Sequence, residues 1–77
     1  MAQNKFALDA RNLLCPMPVI RCQDKVNELN SSDILEIVCT DPGAKNDIPA
    51  WSRINGHKVL EIRTEANEIT ITIEVGA

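Results

Sequence analysis

The chain has 77 residues, enough for one small domain with a single core and too few for a buried cofactor and a separate substrate cavity beside it. Eight Lys+Arg against eleven Asp+Glu give a net charge of −3, the wrong sign for a domain whose main task is gripping nucleic-acid backbone. At 44% hydrophobic and 25% charged residues it lies in the ordinary globular range, which excludes wholesale disorder.

The first predicted element is a short strand over Lys5 to Asp9, with Phe6 and Leu8 on one face and Ala7 and Asp9 on the other. Arg11 to Leu14 is a connection in which Asn12 suits a left-handed turn. After Cys15-Pro16-Met17-Pro18, the residues Val19, Cys22, Val26 and Leu29 recur as one stripe of a helix. Asn30 to Asp33 stops it. Ile34 to Thr40 is a second strand, with Leu35, Ile37 and Cys39 on one face. Asp41-Pro42-Gly43 is a turn, since Pro presets φ and Gly permits unusual values.

Ala44 to Asn55 has the pattern of a second helix. Asp47 caps it or sits in its first turn, and Pro49 is expected near its start because proline cannot donate mid-helix. Ile48, Trp51 and Ile54 form the expected buried side, and Gly56 is the residue past the end. Lys58 to Arg63 reads as a third strand with Leu60 and Ile62 inward. Thr64 to Asn67 is a hairpin loop. Glu68 to Val75 is the clearest strand, its Ile69, Ile71, Ile73 and Val75 alternating with Thr70, Thr72 and Glu74.

The order β-α-β-α-β-β predicts an α/β two-layer sandwich: a four-stranded mixed sheet with two helices on one face, forming one domain over residues 1–77. The first two strands are expected to be parallel and joined through the first helix. The last two are expected to pair as an antiparallel hairpin. Apolar runs extend only a few residues, far short of the ~20 of a membrane span. Residues 1–9 lack the apolar stretch of a secretory signal. The expectation is a cytoplasmic protein, and nothing in the sequence demands more than a monomer.

Three cysteines are too few, and odd in number, for a secreted disulfide scaffold. With His57 they make four candidate zinc ligands, but six, sixteen and seventeen residues intervene between successive members. That is not the clustered spacing of a structural site, so reduced thiols are expected. Cys15 is the one placed for chemistry. It falls at the expected N-cap of the first helix, with Pro16 at N1 and Pro18 at N3, where prolines fix the backbone and remove competing donors. The Met17 N–H is left to point at the sulfur. The helix dipole, with Arg11 and Arg21 nearby in sequence, favours the nucleophilic thiolate. Asp9 and Asp24 oppose it, so the expected pKa depression is modest.

Cys is a poor cap beside Ser, Thr, Asp or Asn, which argues against a merely structural role for Cys15. Cys22 and Cys39 lie on apolar faces and read as small core residues. About two helical turns separate Cys15 from Cys22, beyond disulfide reach. His57 reads as a surface loop residue and Trp51 as core. Asp41 stands at the carboxyl end of a strand, the edge of open α/β sheets where sites gather.

Leu8-Asp9, Leu14-Cys15-Pro16-Met17-Pro18, Asp41-Pro42-Gly43 and Asp47-Ile48-Pro49 together resemble the small sulfur-carrier (sulfurtransferase) family typified by bacterial TusA and SirA. The resemblance runs from Phe6 to Val75 and implies the same two-layer fold. It implies that Cys15 accepts sulfane sulfur as a persulfide from a cysteine desulfurase or a rhodanese-like donor. The sulfur then passes to a downstream protein thiol, in some members toward tRNA 2-thiolation, in others toward sulfur oxidation or related traffic. It places Asp41 near the site.

Three positions depart from the family pattern: Asn12 replaces a frequent Gly, Gln23 stands where a basic residue is common, and Ser52 follows Trp51 where a second Cys often lies. A persulfide carrier of this kind needs no cofactor and no metal, only an exposed thiolate that two partner proteins reach in turn. Direct nucleic-acid binding is disfavoured by the net charge and by the single Trp and single Phe. The competing reading is a non-catalytic binding or regulatory module in which Cys15 is structural.

Overall fold

Strand β4 (Glu68–Glu74) is the spine of the sheet in the computed structural model, which describes residues 4–76. Its isoleucines Ile69, Ile71 and Ile73 are buried, while Thr70, Thr72 and Glu74 between them are half-buried. β4 lies between β2 (Ile34–Cys39) and β3 (Lys58–Glu65), and β1 (Lys5–Ala10) flanks β2, giving the order β1-β2-β4-β3. β1 and β2 are parallel, and both other pairings are antiparallel. With helices α1 (Met17–Val26) and α2 (Ala44–Ile54), the expected β-α-β-α-β-β order and four-stranded mixed sheet stand.

The register explains where the core is. Three rows cross the sheet on the helix-covered side: Phe6, Leu35, Ile73 and Val59; Leu8, Ile37, Ile71 and Ile62; Ala10, Cys39, Ile69 and Thr64. Leu35, Ile37, Ile71 and Ile73 are fully buried, with Cys22 and Pro18 from α1 and Ile48 and Ser52 from α2 closing over them. Each large aliphatic side chain so buried is worth roughly 1.5–3 kcal/mol. The opposite face, which includes Glu36, Thr70, Thr72 and Glu74, stays partly wet.

Several local expectations need correction. Leu60 is not inward but 44% exposed, and Ile62, although on the inner side, is 39% exposed. A register shift passes from Val59 opposite Ile73 to Glu61 opposite Thr72 and leaves Leu60 unpaired. That bulge moves β3 out of simple alternation, so Val59 and Ile62 share the inner side. Ile62 keeps its exposure because β3 is an edge strand.

The hairpin loop is shorter than expected, only Ala66 and Asn67. Both have positive φ, 47° and 68°, the signs a tight two-residue β-turn requires. Ile54 is 84% exposed, and the buried side of α2 is instead Ala44, Ile48, Pro49 and Ser52. Ser52 satisfies its buried hydroxyl on the Ile48 carbonyl at 2.7 Å. Pro49 is not near the start of α2 but at its sixth residue. It forgoes one helical hydrogen bond and is buried there. Gly56 follows the helix with φ 81°, as expected of a residue past a C-cap. Among the described residues, no helix is long and apolar enough to cross a membrane.

Because β1 and β2 run parallel, their carboxyl ends meet at one edge of the sheet. The β1–α1 connection and the β2–α2 turn therefore leave side by side, and this brings Cys15 next to Asp41.

Candidate functional site

The segment between Ala10 and α1 is tied to the neighbouring turn at two points. Asn12 adopts φ 64°, the left-handed conformation expected of it, and its N–H donates to Thr40 Oγ1 at 3.0 Å. The Cys15 N–H donates to Asp41 Oδ2 at 2.7 Å, and the other oxygen of that carboxylate accepts the Gly43 N–H at 3.2 Å. Asp41 thus closes its own turn and anchors the candidate thiol across the gap between the two connections.

The helix start lies one residue later than expected. Pro16 is the N-cap, α1 begins at Met17, and Pro18 is its second residue. Cys15 therefore precedes the cap, its peptide bond to Pro16 being cis. The Met17 N–H is not free for the sulfur: it donates to the Leu14 carbonyl at 2.9 Å. The Pro16 carbonyl accepts from Val19 and Ile20, each at 3.1 Å. Cys15 is exposed. Leu14, Met17 and Ile20, which flank it in the chain, are 76%, 37% and 42% exposed and give this corner an apolar rim.

The thiol's electrostatics are the reverse of the expectation. Cys15 Sγ donates to Asp47, the fourth residue of α2. Its pKa is pushed up to about 11 by that hydrogen bond first, then by desolvation and by the charges of Asp47 and Asp41. The expected cationic help is missing. Arg11 turns away to Asp9, at 2.9 and 3.0 Å, and to Glu68 at 3.2 Å. That contact holds the Asp9 carboxyl down at about 2. Arg21 is exposed on α1 and pairs with neither Asp41 nor Asp47.

Asp47 is the site residue that sequence reasoning missed. It read as a cap or a first-turn residue of α2, and the first turn is where it lies; only the parallel pairing of β1 with β2 reveals that this turn faces Cys15.

The remaining candidates fall elsewhere. Cys22 and Cys39 are fully buried, as expected of core residues, and burial pushes the Cys22 thiol up to about 12. His57 is half-buried rather than a free surface residue. Its Nδ1 accepts the Gly76 N–H at 2.9 Å, and its ring lies 5.2 Å from that of Trp51. No cluster of three or more His, Cys, Asp or Glu that could hold a metal occurs among the described residues.

Comparison with known proteins agrees with this architecture. The family described as Sulfurtransferase TusA matches residues 7–75. The chain is 48% identical to YrkI of Bacillus subtilis over 69 residues, covering 90% of this chain and 92% of that one. It is 31% identical to the sulfur carrier protein TusA of Allochromatium vinosum over 74 residues, covering 96% and 97%. The crystal structure of a SirA-like protein from Desulfitobacterium hafniense superposes with a TM-score of 0.82 at 22% identity. It covers 94% of this chain and 99% of that one and establishes the shared fold. A family match across 7–75, with relatives of nearly equal length, places the chain in the TusA sulfurtransferase family.

Proposed function

We propose that the protein is a sulfur carrier in which Cys15 accepts sulfane sulfur as a persulfide and relays it to a second protein. Relatives named sulfur carrier protein TusA support the carrier role. The observation that carries the assignment to Cys15 is selective exposure: of three free cysteines, Cys15 alone is exposed, and Cys22 and Cys39 are sealed in the core.

The step needs little machinery. Cys15 Sγ attacks the outer sulfur of a donor persulfide, the donor S–S bond breaks, and its electron pair stays on the donor sulfur. The proton lost from Cys15 is balanced by one gained on the donor thiol. Unloading repeats the exchange, with an acceptor thiol attacking the outer sulfur carried by Cys15. No net oxidation occurs, and the nucleophile and leaving-group logic is that of thiol–disulfide exchange.

The donor is a cysteine desulfurase or a rhodanese-like protein, and the acceptor is a protein thiol of a downstream relay leading to tRNA thiolation, sulfur oxidation or related traffic. Asn12 and Asp41 hold the loop, and Pro16, Met17 and Pro18 form the stiff tip that presents the sulfur. Leu14, Met17 and Ile20 provide apolar area for a visiting protein, with Arg21 on the exposed side of the same helix.

The test is to incubate the protein with a cysteine desulfurase, cysteine and pyridoxal phosphate, and to measure intact mass. The wild type is expected to gain sulfur and Cys15→Ser to gain none. Equal gain by Cys15→Ser returns Cys15 to the status of a structural residue in a binding module.

A further inference from the structure

Among the described residues, two carboxylates and no paired cation surround the thiol of the candidate site. From α2 comes Asp47, in direct contact with Sγ. From the β2–α2 turn comes Asp41, bound to the Cys15 N–H. On the α1 side the adjoining residues are Pro16, Met17 and Pro18, all uncharged. The nearby basic residues do not answer this charge: Arg11 is engaged by Asp9 and Glu68, and neither Arg21 nor Lys45 pairs with Asp41 or Asp47.

The N-terminus of α1 does not offset the carboxylates. A helix end carries about half an elementary charge, against two full negative charges. Its nearest amide, that of Met17, is consumed by the Leu14 carbonyl, and the amide of Cys15 itself is given to Asp41.

We propose that Asp47 is a latch on the carrier thiol: its carboxylate takes the Cys15 S–H hydrogen bond and keeps the resting sulfur protonated, and so unreactive toward stray oxidants and electrophiles, until that negative charge is met by another group. This rests on Cys15 being the sulfur-bearing residue. A carrier whose exposed thiol waits between two docking events benefits from such a guard, since thiolate character and exposure together set susceptibility to oxidation.

The size of the effect follows from two opposing terms. A thiol at about 11 instead of the ordinary 9.0 is roughly a hundredfold poorer in thiolate at any pH below both values. Its thiolate is about tenfold more nucleophilic, given a Brønsted slope of ~0.4–0.5. The net slowing is about tenfold.

The experiment follows thiol–disulfide exchange of the intact protein with the neutral disulfide dithiodipyridine near neutral pH, in wild type, Asp47→Asn and the control Asp24→Asn. Asp47 is exposed and only lends a first-turn charge to α2, so the variant keeps its fold, which circular dichroism verifies. Asp47→Asn is expected to react severalfold faster, short of the full tenfold because desolvation and Asp41 also raise the thiol, and Asp24→Asn at the wild-type rate. Raising the salt concentration, which screens exposed charges, is expected to speed Asp47→Asn less than the wild type, since only the Asp41 charge remains in the variant. An Asp47→Asn rate at or below wild type overturns the latch. The readout involves no sulfane sulfur, so a failed latch and a failed carrier assignment are told apart.

Discussion

Removing the Asp41 side chain separates the scaffolding of the site from its electrostatics. In Asp41→Ala two backbone donors lose their acceptor: the Cys15 N–H, held at 2.7 Å, and the Gly43 N–H, held at 3.2 Å. Hydrogen bonds to a charged acceptor contribute about 1.5–3 kcal/mol in protected settings. Asp41 is half-buried, so water compensates part of the loss, and a total of about 1–2 kcal/mol is expected. For a domain of this size each kcal/mol moves the unfolding midpoint by roughly 4–8 °C, which gives a fall of roughly 4–16 °C. The variant still folds, since a chain of this length carries about 4–12 kcal/mol in all. The same substitution changes thiol acidity less than Asp47→Asn does, because the Asp41 charge is the smallest of the contributions that raise it. Thermal unfolding followed by circular dichroism and amide exchange at Cys15 measure the two parts. Faster exchange at Cys15 with a lowered midpoint is expected. An unchanged midpoint with unchanged Cys15 protection refutes the anchoring role of Asp41.

Three further outcomes follow from the structure. The reaction rate of Cys15 with a neutral electrophile is expected to climb with pH past the ordinary thiol value of 9.0 and to level only near 11. Unfolded thiols ionise near 9.0 while folded Cys15 and Cys22 hold out to about 11 and about 12. High pH therefore favours the unfolded chain, and the denaturant midpoint is expected to fall as pH rises above 9.0. Ile71→Ala, at a fully buried position in the middle row of the sheet, is expected to cost about 2–5 kcal/mol, a large share of the total, as read by urea unfolding.

The fold was legible in the sequence wherever one face of an element is buried and the other wet. The alternation of Ile69, Ile71 and Ile73 with threonines and Glu74 located β4, and Leu35, Ile37 and Cys39 located the inner face of β2. The edge strand was misread because its bulge at Leu60 breaks the two-residue period, which no local pattern announces. Ile54 was misread because it continues the apolar stripe of α2 beyond the part that the sheet supports, and Ser52, polar by type, hides its hydroxyl on its own helix.

At the site, Asn12 and Asp41 were legible from turn chemistry. The charge around Cys15 was not, because sequence proximity nominated Arg11, Arg21, Asp9 and Asp24, whereas the contact comes from Asp47, 32 positions along the chain. Helix-start reasoning assigned the Met17 amide to the sulfur, and a one-residue shift of the cap gave it to Leu14 instead.

The proposed carrier role of Cys15 is tested most directly by residue-level mapping of the loaded protein. After brief exposure to a persulfide donor, the protein is trapped with an alkylating reagent and digested, and the peptides bearing Cys15, Cys22 and Cys39 are weighed. The additional sulfur is expected on the Cys15 peptide, with Cys22 and Cys39 unmodified in the folded chain. Sulfur on Cys22 or Cys39 with Cys15 bare would contradict that role.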